Sequence, residues 1–106
     1  MAAKAIFPRF AFGGRKSATT CTAVTVGTDS TSILAANHQR LQAIICNDSN
    51  ATIYLALATT DGATPSASMN SGIMLPTGAS ITLDGYEGAV HGISAAGSKV
   101  VTVVDI

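Results

Sequence analysis

The sequence predicts an all-β protein: a single antiparallel β-sandwich, jelly-roll-like, of about seven or eight strands, with an extended N-terminal arm. Three observations predict it. From residue 20 onward the chain is a series of short runs rich in Val, Ile and Thr, whose branched Cβ atoms suit a pleated surface, divided by clusters of Gly, Asn, Asp and Ser. No window of about 11 residues keeps the i, i+3, i+4 apolar spacing of an amphipathic helix without a Gly or Pro inside it. The length, 106 residues, suits one core rather than two. Many short strands around one core read as a sandwich in preference to a small barrel.

The elements follow in order. Residues 1–20 form the arm and 21–106 the body. The run TCTAVTV (Thr20 to Val26) is the first strand, closed by GTDSTS, and SILAA (Ser32 to Ala36) is the second, interrupted by NHQ. RLQAIICN (Arg40 to Asn47) and ATIYLALA (Ala51 to Ala58) flank Asp48-Ser49-Asn50, a connection short enough for an antiparallel hairpin. Alternation in the second of these puts Ile53, Leu55 and Leu57 on one strongly apolar face. Residues 59–72, TTDGATPSASMNSG, hold almost no bulky apolar side chain and form the one long loop, a kind of segment that usually carries function. GIMLP (Gly72 to Pro76) is a weaker strand. ASITLD (Ala79 to Asp84), AVHGIS (Ala89 to Ser94) and KVVTVVDI (Lys99 to Ile106) are three more, separated by GYEG and AAGS.

Composition narrows the class. Charged residues make up 11% of the chain against roughly 25% in an average soluble domain, so much of the surface is Ser, Thr, Asn, Gly and Ala. The apolar content is built from small groups, with eighteen alanines and no Trp. A core of that kind gains little per residue, and stability shared with neighbouring chains is expected. No basic start is followed by the 7–15 apolar residues of a secretory signal, and no run of about 20 apolar residues could span a bilayer. The chain is therefore expected to be made in the cytoplasm without a membrane partner. Cys21 and Cys46 are expected as two free, buried thiols in neighbouring strands. The sequons at Asn47-Asp48-Ser49 and Asn50-Ala51-Thr52 then carry no glycan.

Candidate chemistry is sparse. His38 and His91 stand 53 residues apart with no local ligand pair, so no metal site is expected. The six acids are scattered at turns without a calcium loop. Gly92-Ile93-Ser94-Ala95-Ala96-Gly97 is one residue too long for a nucleophile elbow and reads as a hairpin. Gly13-Gly14-Arg15-Lys16 lacks the preceding strand and following helix of a phosphate loop, and Asp84 with Glu87 reads as a solvated turn. The sequence predicts neither an enzyme, a cofactor nor a small-molecule substrate.

What stands out is the opening stretch AIFPRFAFGGRK (Ala5 to Lys16), which holds all three phenylalanines. Lys4, Arg9, Arg15 and Lys16 give residues 1–20 a charge of +4, while from residue 21 Arg40 and Lys99 face six acids, +2 − 6 = −4. Phe and Arg are enriched where protein interfaces concentrate their energy. Pro8 stiffens the segment, and Gly13-Gly14 joins it to the body as a hinge. Phe7, Arg9, Phe10, Phe12, Arg15 and Lys16 are the candidate partner-binding residues, and a protein partner is favoured over nucleic acid because the body is acidic. Asp61, Met69 and Asn70 in the long loop and Tyr86 in GYEG are candidate surface contacts.

Residues 40–106 also resemble a small β-sandwich module common among virion proteins of tailed bacteriophages. The resemblance rests on Asn47, Ile53-Tyr54-Leu55, Leu75-Pro76-Thr77-Gly78, Tyr86, Gly88-Ala89-Val90 and the final Val-rich strand, with His91 a departure from the pattern. It implies a capsid decoration, or cement, protein on the outer capsid surface, working as a homotrimer. Its partners would be the major capsid protein and its own copies, and the arm would grip the major capsid protein or a neighbouring subunit. The alternative it implies is a receptor- or glycan-binding module of a tail, baseplate or head fibre, using the loop Thr59 to Gly72 and Tyr86.

Overall fold

The computed structural model describes residues 20–60 and 62–106. The arm residues Phe7, Arg9, Phe10, Phe12, Arg15 and Lys16, and Asp61 of the long loop, lie outside the described residues. Among the described residues eight strands run in chain order: β1 (Thr20–Val26), β2 (Thr31–Leu34), β3 (Gln42–Cys46), β4 (Ile53–Leu57), β5 (Ile73–Leu75), β6 (Ser80–Asp84), β7 (Val90–Ser94) and β8 (Lys99–Asp105). Among the described residues there is no helix.

The strands form two four-stranded sheets, sheet one in the order β1-β8-β3-β6 and sheet two in the order β2-β7-β4-β5. Every pairing is antiparallel. The first strand pairs with the eighth, the second with the seventh, the third with the sixth and the fourth with the fifth. That is one long hairpin of four strand pairs rolled into two facing sheets, which is the jelly roll the sequence predicts.

Two of the expected local pairings are replaced by crossings between sheets. β3 and β4 are not a hairpin: β3 belongs to sheet one and β4 to sheet two. The side chain of Asn47, 1% exposed, turns the chain there. Its Nδ2 donates to the carbonyls of Ala51 (2.8 Å) and Leu75 (2.7 Å), and its Oδ1 accepts from the Ser49 amide (3.2 Å) and hydroxyl (2.6 Å). Likewise β7 and β8 are joined across the sandwich rather than as a hairpin at Ser94 to Gly97. In both places the consecutive strands lie in opposite sheets, and their inward side chains meet across the core. Only β4 and β5 pair through a direct connection, and it is the long loop.

The core is aliphatic. Val26, Ala43, Ile45, Val101 and Val103 from sheet one meet Ile53, Leu55, Leu75 and Val90 from sheet two, each at most 3% exposed. A register shift between Ser32 and Leu34 against β7 lets both Ile33 and Leu34 point inward, which strict alternation would forbid. Gly72 closes the long loop at φ 84°, and a Cβ there would collide with the carbonyl oxygen of Leu55. The cysteines depart from expectation. Both are free, but Cys21 is exposed on the edge strand β1, Cys46 is half-buried, and β8 separates their strands. Alternation explains it: Ile45 takes the inward position, so Cys46 faces out.

Candidate interaction surface

Strands of an antiparallel sheet with one solvated face alternate apolar and polar residues. β3 and β8 do not. Ala43, Ile45, Val101 and Val103 fill the core, yet the intervening outward residues are Ile44, Cys46, Val100, Thr102 and Val104. The register sets rows across the outer face of sheet one. One row is Cys21, Val104, Ile44 and Thr82, and the next is Ala23, Thr102, Cys46 and Ser80, with Thr25 and Val100 beyond it. Large β-branched side chains thus border a row of small ones, a shallow trough running across the strands. Val100 is 45% exposed, and the only charged side chain on the outward positions of these four strands is Asp84, at the end of β6. The sequence carried a signal for this face: QAIIC and KVVTVV are apolar at both parities, the pattern of a strand covered on both sides.

Sheet two is different, because the long loop is tied to its outer side. Ser30 Oγ accepts from the Ala67 amide at 2.9 Å and sits 3.2 Å from His91 Nδ1, and Tyr54 Oη donates to Asn70 Oδ1 at 3.0 Å. Pro65 and Ala67 are buried beneath these ties, as is Ile93 on β7. Of the candidate loop contacts, Met69 is 40% exposed, and Asn70 is exposed with a positive φ of 60°. The loop is therefore a cover for sheet two over much of its length. A space of about 470 Å³ remains between it and β4 beside Leu55, Ala56 and Ile73.

Tyr86 is half-buried and packs against the core. Its hydroxyl accepts from the Ala58 amide at 2.8 Å and donates to the Ala89 carbonyl at 2.7 Å. The ring lies back on Gly88, where a Cβ would come within 2.5 Å of the hydroxyl oxygen. Next to it is an open recess of about 330 Å³ bordered by Thr59, Thr60, Gly85 and Glu87. His38 Nδ1 and Glu87 Oε1 pair at 3.1 Å at the surface close by. Among the described residues no group of three or more His, Cys, Asp or Glu could hold a metal ion.

Sequence reasoning missed Arg40, counting it only as one cation of an acidic body. It is 1% exposed. Its Nε donates to Asp105 Oδ1 at 3.0 Å, Nη1 to the carbonyls of Gly88 (2.9 Å) and Tyr86 (3.3 Å), and Nη2 to the carbonyl of Ala35. Nothing in the local sequence marks that role, because its partners lie 5, 46, 48 and 65 residues away. Comparison with protein-family models, with curated proteins and with solved structures returns no match.

Proposed function

We propose that this chain is a non-enzymatic virion structural protein of a tailed bacteriophage, a capsid decoration protein. In this reading it is a homotrimer on the outer capsid surface that grips the major capsid protein through residues 1–20 and stabilises the head. The observation that carries the reading is the nearly charge-free outer face of sheet one, over which no other described segment lies, next to the strand at which the basic, Phe-rich arm joins the body. Contiguous apolar surface of this kind marks protein interaction sites. A disulfide-free jelly roll closed by pairing of its first and last strands supplies a compact platform for it.

Deleting residues 2–16 is expected to abolish attachment to purified shells while the body stays folded; unchanged occupancy on the shell sinks the reading. Sedimentation equilibrium of the free protein is expected to give three times the chain mass, and a monomer mass at all concentrations removes the trimer. The tail-module alternative has one observation of its own, the hydroxyl-lined recess beside Tyr86. A glycan array with no signal above background counts against it.

A further inference from the structure

We propose that residues 6–12 of the chain's own arm seat across the outer face of sheet one, in the trough between the Val104–Ile44 ridge and Val100. This concerns the free chain and does not rest on the virion reading.

The first argument is pattern. In an extended segment alternate residues share a side, so Ile6, Pro8, Phe10 and Phe12 form an unbroken apolar stripe, with Phe7, Arg9 and Ala11 on the opposite side. The trough they would meet is floored by small side chains, Ala23, Thr102 and Cys46, beside taller β-branched ones. Rings fit into such a row without displacing it. Pro8 has no amide hydrogen, so the segment brings one backbone donor fewer to be satisfied.

The second argument is size. Four strands about 4.8 Å apart and five residues of about 3.4 Å each make a face of roughly 300 Å². A stable protein complex needs about 800 Å² from each partner, so the face alone is too small to hold a whole second domain. A seven-residue segment, at most about 25 Å long when extended, matches it.

The third argument is reach. Residues 13–19 link Phe12 to Thr20, the first residue of β1. Eight Cα steps span up to about 29 Å, while the trough starts on β1 itself at Ala23, about 10 Å along the strand from Thr20, and reaches Cys46 about 10 Å across the sheet. Gly13-Gly14 allows the chain to double back. A tether this short holds the segment at an effective concentration in the millimolar range, which favours the chain's own arm over that of another copy. Net charges of +4 before residue 21 and +2 − 6 = −4 after it add long-range attraction. Seated this way, Phe10 and Phe12 are shielded from water and still available to a partner that competes for them, while Phe7, on the opposite side, is open to a partner directly.

Cys46 lies in the trough and reports on its cover. Maleimide labelling of the free full-length chain, with Cys46 separated from Cys21 by peptide mass, reads the protection directly. Deletion of residues 2–16 is expected to raise the Cys46 rate about tenfold, the change given by a docking equilibrium of about 1.4 kcal/mol. The double substitution Phe10→Ala/Phe12→Ala, which keeps the arm's length and charge, should raise it similarly. Equal rates in intact, shortened and substituted chains overturn the proposal. A mixing arm identifies whose segment is bound: the shortened chain is refolded with excess full-length chains carrying Cys46→Ser. A fast Cys46 rate retained in the mixture supports the own-chain seat. Slowing in the mixture assigns the face to the arm of a second copy and overturns it.

Discussion

A guanidinium that hardly touches water must place its donors within the protein, and Arg40 places them on three segments at once. Its carbonyl partners at Ala35, Tyr86 and Gly88 belong to the β2–β3 and β6–β7 connections, and Asp105 ends β8. The pair with Asp105 is asymmetric in exposure, 0% for the arginine side chain and 15% for the carboxylate. Replacing a buried ion pair with apolar groups can be neutral, but removing the arginine alone strips three carbonyls of their donor and a partly buried carboxylate of this cation. Arg40→Met is therefore expected to destabilise the fold by about 3–5 kcal/mol. At about 4–8 °C per kcal/mol for a domain of this size, the midpoint of a calorimetric melt falls by at least about 12 °C. Arg40→Lys should recover only part of this, since a single ammonium cannot reproduce the fork that binds several acceptors at once. A loss under about 1 kcal/mol for Arg40→Met would show that the carbonyls are satisfied without it.

At the scale of elements, the hydroxyl of Tyr86 ties the start of the β4–β5 connection at Ala58 to the β6–β7 turn at Ala89. Tyr86→Phe keeps the ring against the core but strands the Ala58 amide and the Ala89 carbonyl, a cost of about 1–3 kcal/mol. Tyr54→Phe, whose hydroxyl reaches the exposed Asn70, should cost within about 0.5 kcal/mol. Hydrogen exchange separates the two variants, because only Tyr86→Phe should speed exchange at Ala58. Equal acceleration in both would mean that the loop is held elsewhere. The strands themselves were legible from local pattern, since Ile53 and Leu55 alternate with Tyr54 and Ala56, and turn residues bound each run. The connections were not. Asp48-Ser49-Asn50 has the length of a hairpin turn, and only the hydrogen bond from Asn47 to the Leu75 carbonyl, 28 residues away, shows that the chain leaves the sheet there. The outer face of sheet one was half legible: apolar residues at both parities mark β3 and β8, but bringing Cys46 beside Thr102 and Ala23 requires the pairing of distant strands.

The whole molecule is held by its most distant pairings. Thr20 lies opposite Asp105, and β8 is the strand through which β1 reaches β3. Beyond β8, Ile106 donates its amide to the Gln42 carbonyl at 2.9 Å and accepts from the Leu41 amide at 2.7 Å, so the pairing with β3 continues to the last residue. Removal of residues 97–106 would leave β1 with no partner in sheet one, expose the inner faces of Ala43 and Ile45 where Val101 and Val103 had packed, and release Arg40 from Asp105. No remaining strand can replace these terms, because every other one already has its place in the roll. The truncated chain is expected to lose its cooperative denaturant transition altogether. Removal of residues 1–19, by contrast, leaves all eight of these strands and the pairings among them in place and should leave a single cooperative transition, lowered by the docking energy of the arm. Pairings so far apart in sequence also delay folding, since loop closure must precede the contacts that reward it, and refolding should take milliseconds to seconds. Stopped-flow refolding of the chain lacking residues 1–19 checks this, and a relaxation within tens of microseconds would mean that local contacts, rather than the β1–β8 closure, limit the rate.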